Sequence, residues 1–163
     1  MSFDTPILEA ATALLERCRA RGLHIATAES CTGGLIAGAL TEIAGSSDVV
    51  ERGFVTYSNE AKQEMLAVPE AMIAAHGAVS AEVAEAMALG ALARSGAALA
   101  VSATGIAGPG GATAEKPVGL VYLGIARRGR DARAERFVFA GDRAAVRQAT
   151  VVEALRLLDE AAA

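Results

Sequence analysis

Tryptophan is absent from this chain of 163 residues, and aromatic side chains make up only 4% of it. The apolar fraction of 53% is carried largely by 39 alanines, so the expected interior is closely packed helices on a sheet, with few aromatic anchors. Cysteine is scarce as well. Cys18 and Cys31 are too few for a disulfide framework, and no signal-peptide pattern precedes them, which fits a reducing cytoplasm. Together with the only two histidines, His24 and His76, they match neither a C-x-x-C nor an H-E-x-x-H spacing, so no metal is expected. No stretch of 18 strongly apolar residues runs free of charge or glycine, which excludes a membrane span. A basic excess is also missing: 15 basic against 19 acidic side chains give a formal charge of −4, without the basic stripe that a phosphate backbone requires. Nucleic acid is therefore not an expected partner. Only "RRGR" at 127–130 is locally basic, and it reads as a solvated hairpin tip.

What is present alternates between helix and strand signals. The length is close to the prior of about 150 residues per domain, so one domain over 1–163 is expected. "TPILEAATALLERCRARG" predicts a helix capped by Thr5, with Pro6 in its first turn and Gly22 as its stop. A strand is expected at 23–28, a helix over 32–44, a second strand at 53–58 and a short helix from "NEAKQEML". "SAEVAEAMALGALARSG" predicts a longer helix with Ser80 as cap and Gly96 as stop, and the apolar run at 97–104 predicts a strand buried on both faces at the centre of the sheet. "LVYLGIA" and "ARAERFVFA" then flank a five-residue turn and should pair antiparallel, and a last helix starts at Asp142 and frays in "EAAA". The expected architecture is an α/β fold: a three-layer α/β/α sandwich around a mixed, mostly parallel five-stranded sheet.

In an open α/β sheet, ligands collect beyond the carboxyl ends of the parallel strands. Three polar loops fall at such ends: "ESCTGG", "TYSNEAK" and "ATGIAGPGG". In the first, Ser30 sits at a strand-to-helix turn, the position of a nucleophile elbow without the G-x-S-x-G pattern, and the amides of the following helix start could hold an oxyanion. The plainer reading is that Ser30 or Thr32 caps that helix. Cys31 is a rival nucleophile, although the turn should point it away from Ser30.

A serine nucleophile needs a base. His24 enters the first strand at its far end, and His76 falls at a helix terminus. Lys62 is more telling, because the chain carries thirteen arginines and only two lysines, Lys62 and Lys116. Arginine cannot accept a proton at neutral pH and lysine can, once burial lowers its pKa; leftover lysines from base composition are the alternative. Tyr57 could line the site. The glycines of "GIAGPGG", at 105, 108, 110 and 111, suit close backbone approach to a phosphate or planar ring, but form neither a Walker loop nor a dinucleotide fingerprint.

Six ordered motifs, "TAESCTGGL", "ERGFVTYSNEAKQEMLAV", "HGAVS", "SATGIAGPGG", "EKPVG" and "GDR", resemble the carboxy-terminal domain of the competence-damage-inducible CinA proteins over nearly the whole chain. The resemblance implies hydrolysis of the carboxamide of nicotinamide mononucleotide, within the pyridine nucleotide cycle, by a serine/lysine dyad without metal or cofactor. Carried onto this sequence, the nucleophile is Ser30 and the base Lys62. Tyr57, Thr104, Gly105, Arg143, Thr32 and Gly33 are the expected binding or supporting residues. Thr104 stands where some relatives have Ser, and the amino-terminal nucleotide-pyrophosphatase domain of longer CinA proteins has no counterpart in these residues. The expected partner is a small nucleotide substrate, and the expected state is a homo-oligomer, dimer or larger. Two rivals stay open: a non-catalytic pyridine-nucleotide or protein-binding module of the same fold, and an amidohydrolase built on Cys31.

Overall fold

A computed structural model describes residues 2–163. Helix α1 (Thr5–Arg21) has Pro6 in its first turn as expected, but Asp4 rather than Thr5 holds the capping position. Gly22, at φ 66°, turns the chain so that its own amide and that of Leu23 bond back to Arg19 and Cys18. That turn uses Leu23, so strand β1 (Ile25–Glu29) begins later than the sequence predicts. Helix α2 (Leu35–Thr41) is shorter than expected, because residues 31–34 form a turn instead of its first residues.

Strand β2 (Val50–Val55) is displaced towards the amino terminus of the expected 53–58. It is the sheet edge, and its half-exposed Glu51 and Arg52 hide the period of two that marks a strand. Helix α3 (Asn59–Leu66) is capped by Ser58, and α5 (Ala81–Ala93) carries the cap the sequence predicts, Ser80, and ends ahead of Gly96. Between them α4 (Glu70–His76) is an additional short helix, of which the sequence reading anticipated only the end at His76. Strands β3 (Leu99–Gly105), β4 (Leu120–Arg127) and β5 (Arg133–Val138) follow, and Asp142 caps α6 (Arg143–Ala162) by accepting from the Ala145 amide. The terminal "EAAA" does not fray: α6 stays helical through a fully buried Ala162, and Arg127 donates to the Ala161 carbonyl. Arg128 donates to the Leu92 and Ala97 carbonyls, so half of "RRGR" is a brace and not a solvated tip.

The sheet order is β2-β1-β3-β4-β5, with β3 at its centre as expected. β1 pairs parallel with β2 and β3, while β3–β4 and β4–β5 are antiparallel, so four of the five strands run one way. Helices α1, α2 and α6 cover one face over Ile25, Leu99 and Val101, and α3, α4 and α5 cover the other over Ala26, Ala28 and Ala100. The alternation along each strand thus sends large aliphatics to one side and alanines to the other. The thin face lets α5 approach until a Cβ at Gly124 would lie 2.2 Å from the Ala84 carbonyl oxygen. On the outer side of α5, a Cβ at Gly90 would lie 2.1 Å from the Leu66 carbonyl oxygen, so α3 is drawn in as well. The carboxyl ends of the parallel strands then meet in register, Glu29 beside both Val55 and Ala103.

Candidate active site

Ser30 is the first residue beyond β1, and its amide donates to the Ala103 carbonyl at 2.9 Å, extending the β1–β3 ladder by one rung. Neither Ser30 nor Thr32 caps α2. The buried carboxylate of Glu29 does so, accepting from the amides of Ile36 (2.8 Å) and Ala37 (3.1 Å) and from the Thr32 hydroxyl (2.6 Å). This corrects two expectations at once. The first amides of α2 are occupied and cannot hold an oxyanion, and the Ser30 hydroxyl is free of capping duty. Gly33 and Gly34 then carry the chain into α2 through left-handed conformations, φ 56° and 107°.

Lys62 lies one turn into α3 and is 1% exposed. Its Nζ is 2.9 Å from Ser30 Oγ, 2.8 Å from the Thr56 carbonyl oxygen and 3.4 Å from that of Tyr57. All three neighbours are uncharged, and burial lowers the lysine pKa from its ordinary value of 10.5. The geometry suits a neutral amine. Nζ donates to the two carbonyls, which can only accept, and to Ser30 Oγ; in the neutral amine that third position would carry the lone pair, facing the Ser30 hydroxyl.

The two groups sit in a cleft of about 280 Å³ bordered also by Tyr57, Asn59, Ala78, Val79, Thr104, the 105–111 loop and Arg143. Tyr57 is 61% exposed; its hydroxyl bonds Arg143 Nη2 at 3.1 Å, while Arg143 Nη1 donates to the Gly108 carbonyl at 3.0 Å. Together they form a rim. Thr104 Oγ1 donates to the Ala78 carbonyl at 2.8 Å, and Lys116 Nζ donates to those of His76 and Val79 at 2.7 and 2.8 Å. The 76–79 wall is thus clamped from two sides, and each of the scarce lysines bonds main-chain carbonyls beside the cleft.

Of the expected residues, Ser30, Tyr57, Lys62, Thr104, Gly105 and Arg143 border the cleft. Thr32 and Gly33 do not; they shape the turn beside it. Gly105 is there for the protein and not for a ligand, since a Cβ would come within 2.8 Å of the Leu120 carbonyl oxygen, whereas Gly110 faces open space. Cys31 borders the same cleft, contrary to the expectation that it turns away, but burial pushes its thiol up to about 11 and keeps it protonated near neutrality. His24 is spent at the opposite end of β1, where its carbonyl accepts from Ala98 and Leu99, and the His76 ring lies 3.7 Å from Glu82. The sequence reading missed Glu29 and Arg147. Glu29 carried a signal as the single acid in a strand otherwise buried and uncharged; Arg147, one helical turn after Arg143, carried only that spacing.

The sequence profile of the CinA C-terminal domain matches residues 8–162. The chain belongs to that family. Among relatives of this CinA domain, a "CinA-like protein" of Geobacter sp. (strain M21) is 59% identical over 140 residues, 86% of this chain and 34% of the relative. The chain therefore spans about a third of the length of such relatives. The "Nicotinamide-nucleotide amidohydrolase PncC" of Escherichia coli (strain K12) is matched end to end, with 48% identity over 95% of this chain and 94% of that protein. A crystal structure of the competence/damage-inducible protein CihA from Agrobacterium tumefaciens superposes with a TM-score of 0.95 at 52% identity, over 97% of this CinA domain and 96% of that chain.

Proposed function

We propose that this CinA domain hydrolyses the carboxamide of nicotinamide mononucleotide to nicotinate mononucleotide and ammonia, with Ser30 as nucleophile and Lys62 as base. The observation that carries the reading is the 2.9 Å contact between Ser30 Oγ and an amine whose pKa is lowered by burial and which is oriented by two carbonyls. The likeness to PncC over the whole chain supplies the substrate class.

Lys62 Nζ takes the Ser30 proton as Oγ adds to the carboxamide carbon. The negative charge on the carbonyl oxygen is met by the Cys31 amide, which borders the cleft and makes no backbone hydrogen bond among the described residues. The ammonium of Lys62 then returns the proton to the departing nitrogen, the C–N bond breaks, and ammonia leaves an ester on Ser30. Water gives a proton to the neutral amine and adds to the ester; collapse of that adduct frees the carboxylate and restores the Ser30 hydroxyl. Arg143 and Tyr57 at the rim, with the open face of the 105–111 loop, receive the ribose phosphate. The same reading takes the protein as a cytoplasmic enzyme of the pyridine nucleotide cycle, acting without metal as a homo-oligomer that covers exposed apolar residues such as Val55 and Leu89.

Ammonia release from nicotinamide mononucleotide, measured with chelator present, tests the proposal. Turnover that disappears in Ser30→Ala supports it; saturable binding without turnover in the unaltered chain overturns it in favour of a binding module.

A further inference from the structure

Arg147, on α6, donates from Nε to the Cys31 carbonyl at 3.2 Å and from Nη2 to the Thr32 carbonyl at 3.2 Å, more than a hundred residues away along the chain. Ser30's own carbonyl accepts from the Gly33 amide at 3.0 Å. A trans peptide is planar, with C=O and N–H pointing in opposite directions, so a carbonyl that is held fixes the direction of the amide beyond it. The only cis bond among the described residues is Gly108–Pro109, so the peptide units after Ser30 obey this rule. The Ser30 carbonyl, held by Gly33, aims the Cys31 amide away from Gly33. The Thr32 carbonyl, held by Arg147, aims the Gly33 amide away from α6 and onto the Ser30 carbonyl.

We infer that Arg147 is a positioning residue that, through the Gly33 amide and the Ser30 carbonyl, orients the Cys31 amide into an oxyanion site beside Ser30 Oγ, an inference that rests on the serine-nucleophile reading. Glu29 excludes the alternative donors by occupying Ile36 and Ala37. A guanidinium suits the task because its fork reaches two carbonyls at once, and its charge on the Thr32 carbonyl polarises the Gly33 amide that holds the Ser30 carbonyl. Gly33 leaves room for it: a Cβ there would lie 3.6 Å from Arg147 Nη2. Arg147 does not itself border the cleft that holds Ser30 and Lys62.

The test uses the full chain with Arg147→Met, which keeps the aliphatic stem, and Arg147→Lys, which keeps the charge without the fork. Two rates are followed. One is ammonia release from nicotinamide mononucleotide; the other is modification of Ser30 by phenylmethylsulfonyl fluoride, read by intact mass. In the second, the Ser30 O–S bond forms, the S–F bond breaks, fluoride leaves and Lys62 takes the proton, so sulfonyl oxygens pass through the same site. The expectation is that Arg147→Met lowers kcat and the Ser30 modification rate together by about 10- to 100-fold, somewhat less than the full loss of an oxyanion donor, with KM within twofold and the pH of half-maximal activity unmoved. Arg147→Lys should recover part of both rates. A purely structural role predicts a lower Tm with normal kcat in the folded fraction, and that result overturns the inference, as does a change in KM alone. If wild-type Ser30 is modified but no ammonia is released, the substrate assignment fails while the relative modification rates still decide the role of Arg147. No modification of wild-type Ser30 overturns both.

Discussion

Lys62 Nζ and Ser30 Oγ, 32 residues apart in sequence, lie 2.9 Å from one another at the floor of the cleft, and the amine's hydrogen-bond partners among the described residues are all uncharged. The pair is assembled by the sheet. β1 ends at Glu29 and β2 at Val55 in register, so the residues just beyond them are neighbours, and α3 returns Lys62 over the gap.

The amine must be neutral to accept the Ser30 proton, so kcat/KM should rise with pH along an acidic limb whose midpoint lies below the ordinary lysine value of 10.5. Lys62→Arg should be nearly as damaging as Lys62→Ala, because a guanidinium keeps charge but takes no proton at neutral pH. An arginine variant within about tenfold of wild type, a barrier change of about 1.4 kcal/mol, removes the general-base role.

The same burial has a stability consequence of definite sign. A folded-state lysine pKa below the unfolded value means that the unfolded chain binds more protons between those two pH values, so this group's contribution to stability rises with pH there and levels off above 10.5. Lys62→Met should therefore be more stable than wild type in urea at neutral pH, with an advantage that shrinks as pH approaches 10.5. A constant difference across that range contradicts the linkage.

Ser30→Ala should abolish turnover, and Cys31→Ala should leave most of it, since the Cys31 thiol stays protonated to about pH 11. Steady-state assays of the two single variants decide the matter, and loss of activity confined to the cysteine variant reverses the assignment.

Arg143→Ala removes the Tyr57 and Gly108 contacts together and should raise KM for the nucleotide by about 10-fold or more, the scale of one charge-assisted hydrogen bond. Tyr57→Phe should have a smaller effect of the same kind. Unchanged KM and kcat in the arginine variant take it out of the site.

Glu29→Gln keeps the size of the side chain but offers one acceptor oxygen and an amide where two oxygens took three donors. A loss of about 1–3 kcal/mol in chemical denaturation is expected, because the replaced oxygen leaves a buried N–H facing another donor.

The order of the strands, the antiparallel hairpin, the centrality of β3 and the caps Ser80 and Asp142 were legible because local patterns encode them: period, capping chemistry and turn residues. Ser30 and Lys62 were legible as candidates from placement at strand ends and from the scarcity of lysine. The capping of α2 was not, because a serine and a threonine at its start satisfy the usual rule while Glu29 reaches it from the preceding strand. Arg147 was illegible in principle from local pattern, since its partners lie 116 and 115 residues earlier. The edges of β2 were obscured by side chains facing solvent at the sheet margin.

The reach of α6 back to the turn after β1 also sets an order of events during synthesis. A nascent chain that has emerged only as far as Val138 already contains every strand of the sheet, with Ser30 and Lys62 on it, but neither Arg143 nor Arg147. Domains fold as units once their sequence is out of the ribosome, and here a helix that emerges after every strand of the sheet is the one that braces the turn after β1. The complete site therefore forms only after α6 has emerged.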